Sequence, residues 1–481
     1  METKTTSQTK ETGLKQIRPI PISIAIMIGS FIGLFSETAL NMAFTNIMED
    51  FQIDATAVQW LTTGYLLVLG ILVPISALLL QWFTTRQLFS ASLFFSIIGT
   101  LVAALAPSFE LLLTARVIQA IGTGLLLPLM TNVILVIFPP HKRGTVMGLM
   151  GLVIMCAPAV GPTLSGLIVD SFSWHAIFWI CLPLLVFTFC FGLVYMQNVS
   201  TITKPKIDIL SVLLSSVGFG GIVFGFSNAG EGAGAWGEPA VLMPLIVGVV
   251  GLILFSIRQM RMEQPMLNLR VFKFPMFTIG LVMVFLCMML ILSVSILLPM
   301  YLKGSLLLTA FAAGLLLLPG GIVNGIMSPV TGRLFDKHGP KYLVIPGFVI
   351  TTILAYLFSG VSTSTSQPII IIMHTCLFIG VAMIMMPAQT NGLNQLPRHF
   401  YPDGAAVMNT LQQIAGAIGT AVTVSIMAAG QESYMATADA ANPQALSEAL
   451  TVGVQNAFMF ACIASVIGLV LSFFIKRVEV K

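Results

Sequence analysis

Charge is what this sequence has least of. Of its 481 residues only 8% are charged, against roughly 25% in an ordinary soluble protein, and that excludes a soluble globular enzyme. Cysteine is also sparse. The six (Cys156, Cys181, Cys190, Cys287, Cys376, Cys462) sit singly in apolar runs with no CxxC pair, so neither a disulfide framework nor a zinc site is indicated, and they read as small buried hydrophobes. There is no HExxH, no GxSxG elbow and no GxxxxGK[ST] phosphate loop. No loop is long enough for an ATPase domain, so a membrane-embedded enzyme and a primary pump both lack support. The strand-like alternation of a membrane β-barrel is missing as well.

What fills the chain is apolar: 57% hydrophobic residues and a mean hydropathy of +0.98. Stretches of about 18 residues or more, separated by polar or Gly/Pro punctuation, number fourteen. They run approximately over 20–46, 56–80, 87–106, 111–138, 144–168, 174–196, 209–228, 239–257, 275–301, 309–331, 341–361, 368–392, 404–429 and 452–475. Such segments must be helices, because lipid offers no partner to an open backbone. The polar start Met1 to Arg18 precedes an apolar run longer than a signal-peptide core and without a cleavage site, so it reads as a tail before an uncleaved first helix. The external stretch from Gly430 to Thr451, rich in Ala and acids, is expected to form a short surface helix.

With the N-terminus placed inside, twenty of the 22 Lys and Arg fall on the cytoplasmic side. They lie in the tail, at Arg86, Lys142 and Arg143, Lys204 and Lys206, Arg258 to Lys273, Arg333 to Lys341, Arg398, and Lys476 to Lys481. Lys303 falls outside and Arg116 within a helix. The positive-inside rule therefore predicts fourteen helices with both termini cytoplasmic.

The run from Pro74 through Ala77, Leu79, Gln81 and Arg86 to Leu88 matches the run from Pro329 through Gly332, Leu334, Asp336 and Lys341 to Leu343 at a constant offset of 255 residues. A repeat at that distance means two related bundles, helices 1–6 and 9–14, with 7 and 8 inserted between them. The boundaries are a tail at 1–18, a first six-helix bundle at 19–200, a linker with the inserted pair at 201–271, a second six-helix bundle at 272–476, and an end at 477–481. Facing homologous halves are how secondary transporters build an alternating-access cavity.

Two charges stand inside the membrane. Glu37 alone among 18 acids lies deep in a helix, where a carboxylate needs a wet cavity, a partner or a proton. Asn41, one turn on, shares its face. Arg116 keeps its charge and needs an acid, water or carbonyls; Glu37 is the natural partner, and snorkelling to the outer interface is the alternative. Competition among Arg116, a proton and a substrate for Glu37 would couple binding to protonation. Further polar candidates for a cavity wall are Gln119, Asn132, Asn324, Gln389, Asn391, Asn409 and Gln412, each alternatively helix–helix glue. In helix 5, Pro158, Gly161, Pro162 and Gly166 describe a kinked, closely packed seal. Asp336, within Gly332 to Lys341, is placed to cap the following helix as part of a polar latch. The 27 Met and 33 Phe suit an adaptable apolar cavity, although most of them must face lipid or core.

These residues resemble the major facilitator superfamily, and within it the fourteen-helix drug:proton antiporters that include the quaternary-ammonium and lincomycin exporters. The resemblance covers essentially the whole chain. It rests on Gly332, Asp336, Gly339 and Lys341 for the cytoplasmic loop signature, and on Arg116, Gln119, Gly122, Gly124 and Pro128 for the helix-4 signature. The antiporter signature matches at Pro158, Gly161, Pro162 and Gly166. Glu37 to Phe44 looks like the group's helix-1 motif, and Trp60 with Tyr65 like the opening of helix 2. Glu37 stands where Asp is commoner and Phe44 where Pro is expected. Ala77, Gln81 and Thr84 replace Gly, Asp and Gly in the first-half loop, so gating is expected to lean on Asp336.

The resemblance implies a monomeric multi-pass transporter of a bacterial plasma membrane, without cofactor, metal or nucleic acid, driven by the proton gradient. It would export amphipathic or cationic drugs, lincosamide-type antibiotics among them. The alternative is a dedicated exporter of one physiological metabolite, lipid or peptide.

Overall fold

The protein is described from a computed structural model that covers residues 19–53, 55–200, 202–203, 208–229, 235–263, 265–437 and 444–478; the side chains of Asn41, Pro158 and Pro162 lie outside the described set. The first half contains α1 (Pro19–Ala39), the short α2 (Phe44–Phe51), α3 (Ala55–Trp82), α4 (Thr85–Ala104), α5 (Phe109–Ile137), α6 (Pro140–Ser171) and α7 (His175–Tyr195). The inserted pair is α8 (Ile209–Ala229) and α9 (Pro239–Arg261). The second half contains α10 (Pro275–Met300), α11 (Ala310–His338), α12 (Lys341–Phe358), α13 (Gln367–Asn394), α14 (Tyr401–Met435) and α15 (Ala445–Ser472). Among the described residues 13 helices are long and apolar enough to cross a membrane. The 32-residue α6 completes the fourteen.

Helix ends follow local chemistry. Thr84 and Gln87 form a reciprocal capping box at the start of α4, while Ser108 and Thr309 accept backbone N–H groups at the starts of α5 and α11. Gly339, with φ of 82°, turns the chain after α11. Two expectations are corrected. The first segment is not one helix: α1 gives way to a 3₁₀ turn at Leu40–Ala43 before α2. The stretch after Gly430 forms no separate surface helix among its described residues; α14 runs on to Met435 and α15 begins at Ala445.

The two halves meet along two matching seams. The fifth long helix of the first half, α6, packs on the second of the other half, α11; its counterpart α14 packs on α3. The repeated segments beginning at Pro74 and Pro329 therefore occupy equivalent seam helices. The inserted α8 and α9 pair with each other, and α8 lies against both α3 and α14. It is tied there by Thr63 to Ser227 at 3.1 Å and, from the α8–α9 connection, by the Trp236 indole N–H to Ser425 at 2.6 Å. Helix ends carrying Arg86, Lys142, Arg258 and Arg333 share one end of the array, called here the basic end.

Candidate functional site

Arg116 organises the first half. It is completely buried, and its guanidinium donates to Leu61 O (3.3 Å), Ser36 O (3.1 Å), Glu37 O (3.4 Å) and the Gln119 Oε1 (3.1 Å). It also lies 4.3 Å from the centre of the Tyr65 ring, an arrangement that suits the planar, delocalised cation. One side chain thus joins α1, α3 and α5, and snorkelling is not its state. The expected partnership with Glu37 takes another form, because the bond goes to the Glu37 backbone carbonyl. Among the described residues the one ion pair is Arg258 with Asp208.

This contact explains the break in the first segment. The carbonyls of Ser36 and Glu37 are those that an unbroken helix offers to the amides of Leu40 and Asn41, where the 3₁₀ turn begins. A guanidinium inserted into the ladder leaves α-geometry unsupported there. Glu37 itself is half-buried beside that break.

Around this centre, Gln119 passes a hydrogen bond to Thr100 at 2.9 Å, and Tyr65 donates to Thr123 at 2.7 Å. Gly33 leaves room for that Thr123 hydroxyl, and Gly122 for the backbone of α4 at Ser92. Gly161 of α6 packs on Thr38, the neighbour of Glu37, whereas a methyl group at Gly166 would meet nothing within 4 Å. Of the proposed seal, then, Gly161 touches the centre and Gly166 does not.

Replacing Arg116 by Lys keeps the charge but removes the fork that spans three helices. Hydrogen bonds to charged groups each contribute about 1.5–3 kcal/mol. Arg116→Lys is expected to lower the melting temperature by several degrees in detergent, whereas a variant melting like wild type would show the network to be dispensable.

A second cluster sits at the basic end of the α6–α11 seam. Asp336 accepts from Gly144 N (2.8 Å), Thr145 N (2.8 Å) and the Thr145 hydroxyl (2.7 Å). Its expected capping of its own following helix is therefore corrected: the carboxylate crosses to the other half of the molecule and holds α6. The seam is glycine-lined. A Cβ at Gly144 would strike Asp336, Phe335 and the Gly332 carbonyl, and one at Gly148 would strike the Ser328 carbonyl. Lys341 opens α12 at the surface. Gln81, in the equivalent place in the first half, bonds instead to Thr203 of the linker.

Sequence reasoning passed over two groups here. Arg143, counted as a loop charge, is buried; it donates to Asn394 Oδ1 of α13 at 2.9 Å and lies 5.1 Å from the Tyr401 ring centre. Asp403, in the first turn of α14, is buried and accepts from Asn268 N at 2.8 Å. Only their position at segment edges, beside Gly-, Pro- and Asn-containing turns, could have flagged them.

The amide candidates separate. Asn132, Asn324, Gln389 and Gln412 are buried with polar atoms that have no hydrogen-bond partner among the described residues; Asn409 reaches Thr131 of the other half at 3.5 Å. Asn391 belongs elsewhere, its side chain clamping Lys476 O and Val478 N after α15. Gln119 is committed to Arg116 and Thr100. Asn41 falls among the side chains not described.

Two facing helix bundles, a buried cation in one and a carboxylate contact across the seam between them suit a membrane transporter. The family model of the Major Facilitator Superfamily matches residues 26–420, and the chain belongs to that family. It is 67% identical over 98% of its length to the "Lincomycin resistance protein LmrB" of Bacillus subtilis (strain 168), covering 99% of that protein. It is 26% identical over 82% of its length to the "Multidrug resistance protein B homolog" of Mycobacterium tuberculosis (strain ATCC 25618 / H37Rv), covering 74% of that protein. Among solved structures, the human organic anion transporter MFSD10 (TETRAN) matches 95% of this chain with a TM-score of 0.66 at 13% identity, covering all of that chain. This last likeness concerns the fold.

Proposed function

We propose that the chain is a proton-coupled exporter of amphipathic drugs in a bacterial cell membrane, working by alternating access, with the basic end facing the cytoplasm. The observation that carries this reading is the Glu37 site. A half-buried carboxyl stands at a helix break beside an arginine whose hydrogen bonds go to carbonyl and amide oxygens, which leaves the acid to exchange a proton. The relatives named for lincomycin and multidrug resistance point to the cargo, and the distribution of Lys and Arg supports the orientation. The buried amides with unpaired atoms on α5, α11, α13 and α14 supply hydrogen-bonding groups for a cargo once the seam opens, since such groups are costly to leave unpaired. A membrane potential of 100 mV supplies about 2.3 kcal/mol per charge moved, roughly a fifty-fold gradient.

In inverted vesicles with a preformed pH gradient, a lincosamide or a lipophilic cation is expected to release protons when the protein is present. Silence toward a broad panel, with response to a single metabolite, would favour the dedicated exporter.

A further inference from the structure

We infer that the inserted pair α8 and α9 carries a binding site for an anionic phospholipid at its basic end. A cleft of about 420 Å³ opens there between the two helices. Its walls are Leu210 and Leu214 of α8 with Leu254 and Ile257 of α9, and its rim carries Arg258 and Arg261. The walls continue onto an exposed apolar outer face: Leu210, Leu254 and Met260 are exposed, and α9 is the least buried of the candidate membrane-crossing helices among the described residues. An acyl chain suits the apolar wall, and a phosphodiester suits a guanidinium at the level of the headgroups.

The charges settle which headgroup fits. Arg258 is already engaged, donating to Asp208 at 2.5 and 2.9 Å. The hydrogen bond from Arg258, helped by one from Ser211, holds the Asp208 carboxyl down at about 2, so this pair stays neutral overall through any physiological pH. Arg261 is exposed beside it. Arg270 and Lys273, on the turn Leu269–Lys273 that packs against α9, add two further cations, opposed by the exposed Glu263. The described charges at this end of the pair therefore sum to a net positive charge, which favours a headgroup with net negative charge over a zwitterion. The same α8 rests on both α3 and α14, so a lipid held here sits against the helices that span the second seam. The inference requires only that α8 and α9 cross the bilayer, and it stands or falls apart from drug export.

The test is native mass spectrometry of the purified full chain titrated with phosphatidylglycerol, with phosphatidylcholine of the same acyl chains, and with inorganic phosphate. Wild type is expected to retain one phosphatidylglycerol more tightly than the rest of its lipid, and Arg261→Gln to weaken that retention about ten-fold. Arg333→Gln, at the same end on α11, is expected to leave it unchanged. Equal retention by Arg261→Gln and wild type would overturn the inference, as would equal binding of the two lipids. Displacement by equimolar inorganic phosphate would also overturn it, since it would mark a bare anion site. Because Arg261 is a surface residue, its melting curve is expected to match wild type in lipid-free detergent, which separates lost binding from lost fold.

Discussion

Glu37→Gln is expected to abolish drug-induced proton release while leaving the fold intact. Glutamine keeps the size and hydrogen-bonding capacity of the protonated acid but has no proton to exchange. The bonds that hold α1 to Arg116 run through the backbone carbonyls of Ser36 and Glu37, and the substitution does not touch them. The melting temperature should therefore shift little. The proton signal in inverted vesicles should fall to that of empty membranes, and equilibrium drug binding should be kept within a few-fold, with its pH dependence flattened. Glu37→Asp should retain part of the coupling. Equal proton release by wild type and Glu37→Gln would remove the acid from the coupling step and move attention to the buried carboxylate of Asp403.

How much of this arrangement was legible in the amino-acid sequence depended on what each feature asks of its neighbours. The fourteen helices were readable to within a few residues at most ends, because length and apolarity are properties of a segment alone. Arg116 and Glu37 were found for the same reason: a charge in an apolar run is visible without a partner. What could not be read was whom each group meets. Arg116 was assigned a carboxylate and takes carbonyls, because the donor count of a guanidinium says how many oxygens it needs but not which are near. That choice in turn produced the break at Leu40–Ala43, where no Pro or Gly announces one. Asn391 looked like its neighbour Gln389, yet two residues along a helix point some 200° apart, and Asn391 faces the chain after α15. Asp336 stands out in the sequence as a junction carboxylate, but the amides it accepts from lie 191 and 192 positions away in the chain, across the seam. Gly332 stands in the loop signature, but Gly144 and Gly148 are unremarkable as composition. Only the approach of two backbones gives them meaning.

That approach yields the second large effect. At Gly148 a built Cβ would lie 2.9 Å from the Pro329 Cα and 3.0 Å from the Ser328 carbonyl carbon, both main-chain atoms that no rotamer change can move aside. Gly148→Leu must therefore push α6 from α11. Overpacking typically costs about 1–3 kcal/mol, and here the cost falls on the closed seam alone, so each 1.4 kcal/mol shifts the balance ten-fold toward an open basic end. Cys156, whose sulfur packs against Gly325 on the same seam, is a built-in reporter. In a chain whose other five cysteines are replaced by alanine, the modification of Cys156 by a soluble maleimide is expected to quicken at least ten-fold in Gly148→Leu, with transport largely lost. Gly166→Ala is the matched control, because its methyl meets nothing within 4 Å on the same helix, and it should leave both rates unchanged. If Cys156 reacts no faster in Gly148→Leu, the seam does not move as a gate, and the Asp336 contact is structural packing between two bundles fixed in place.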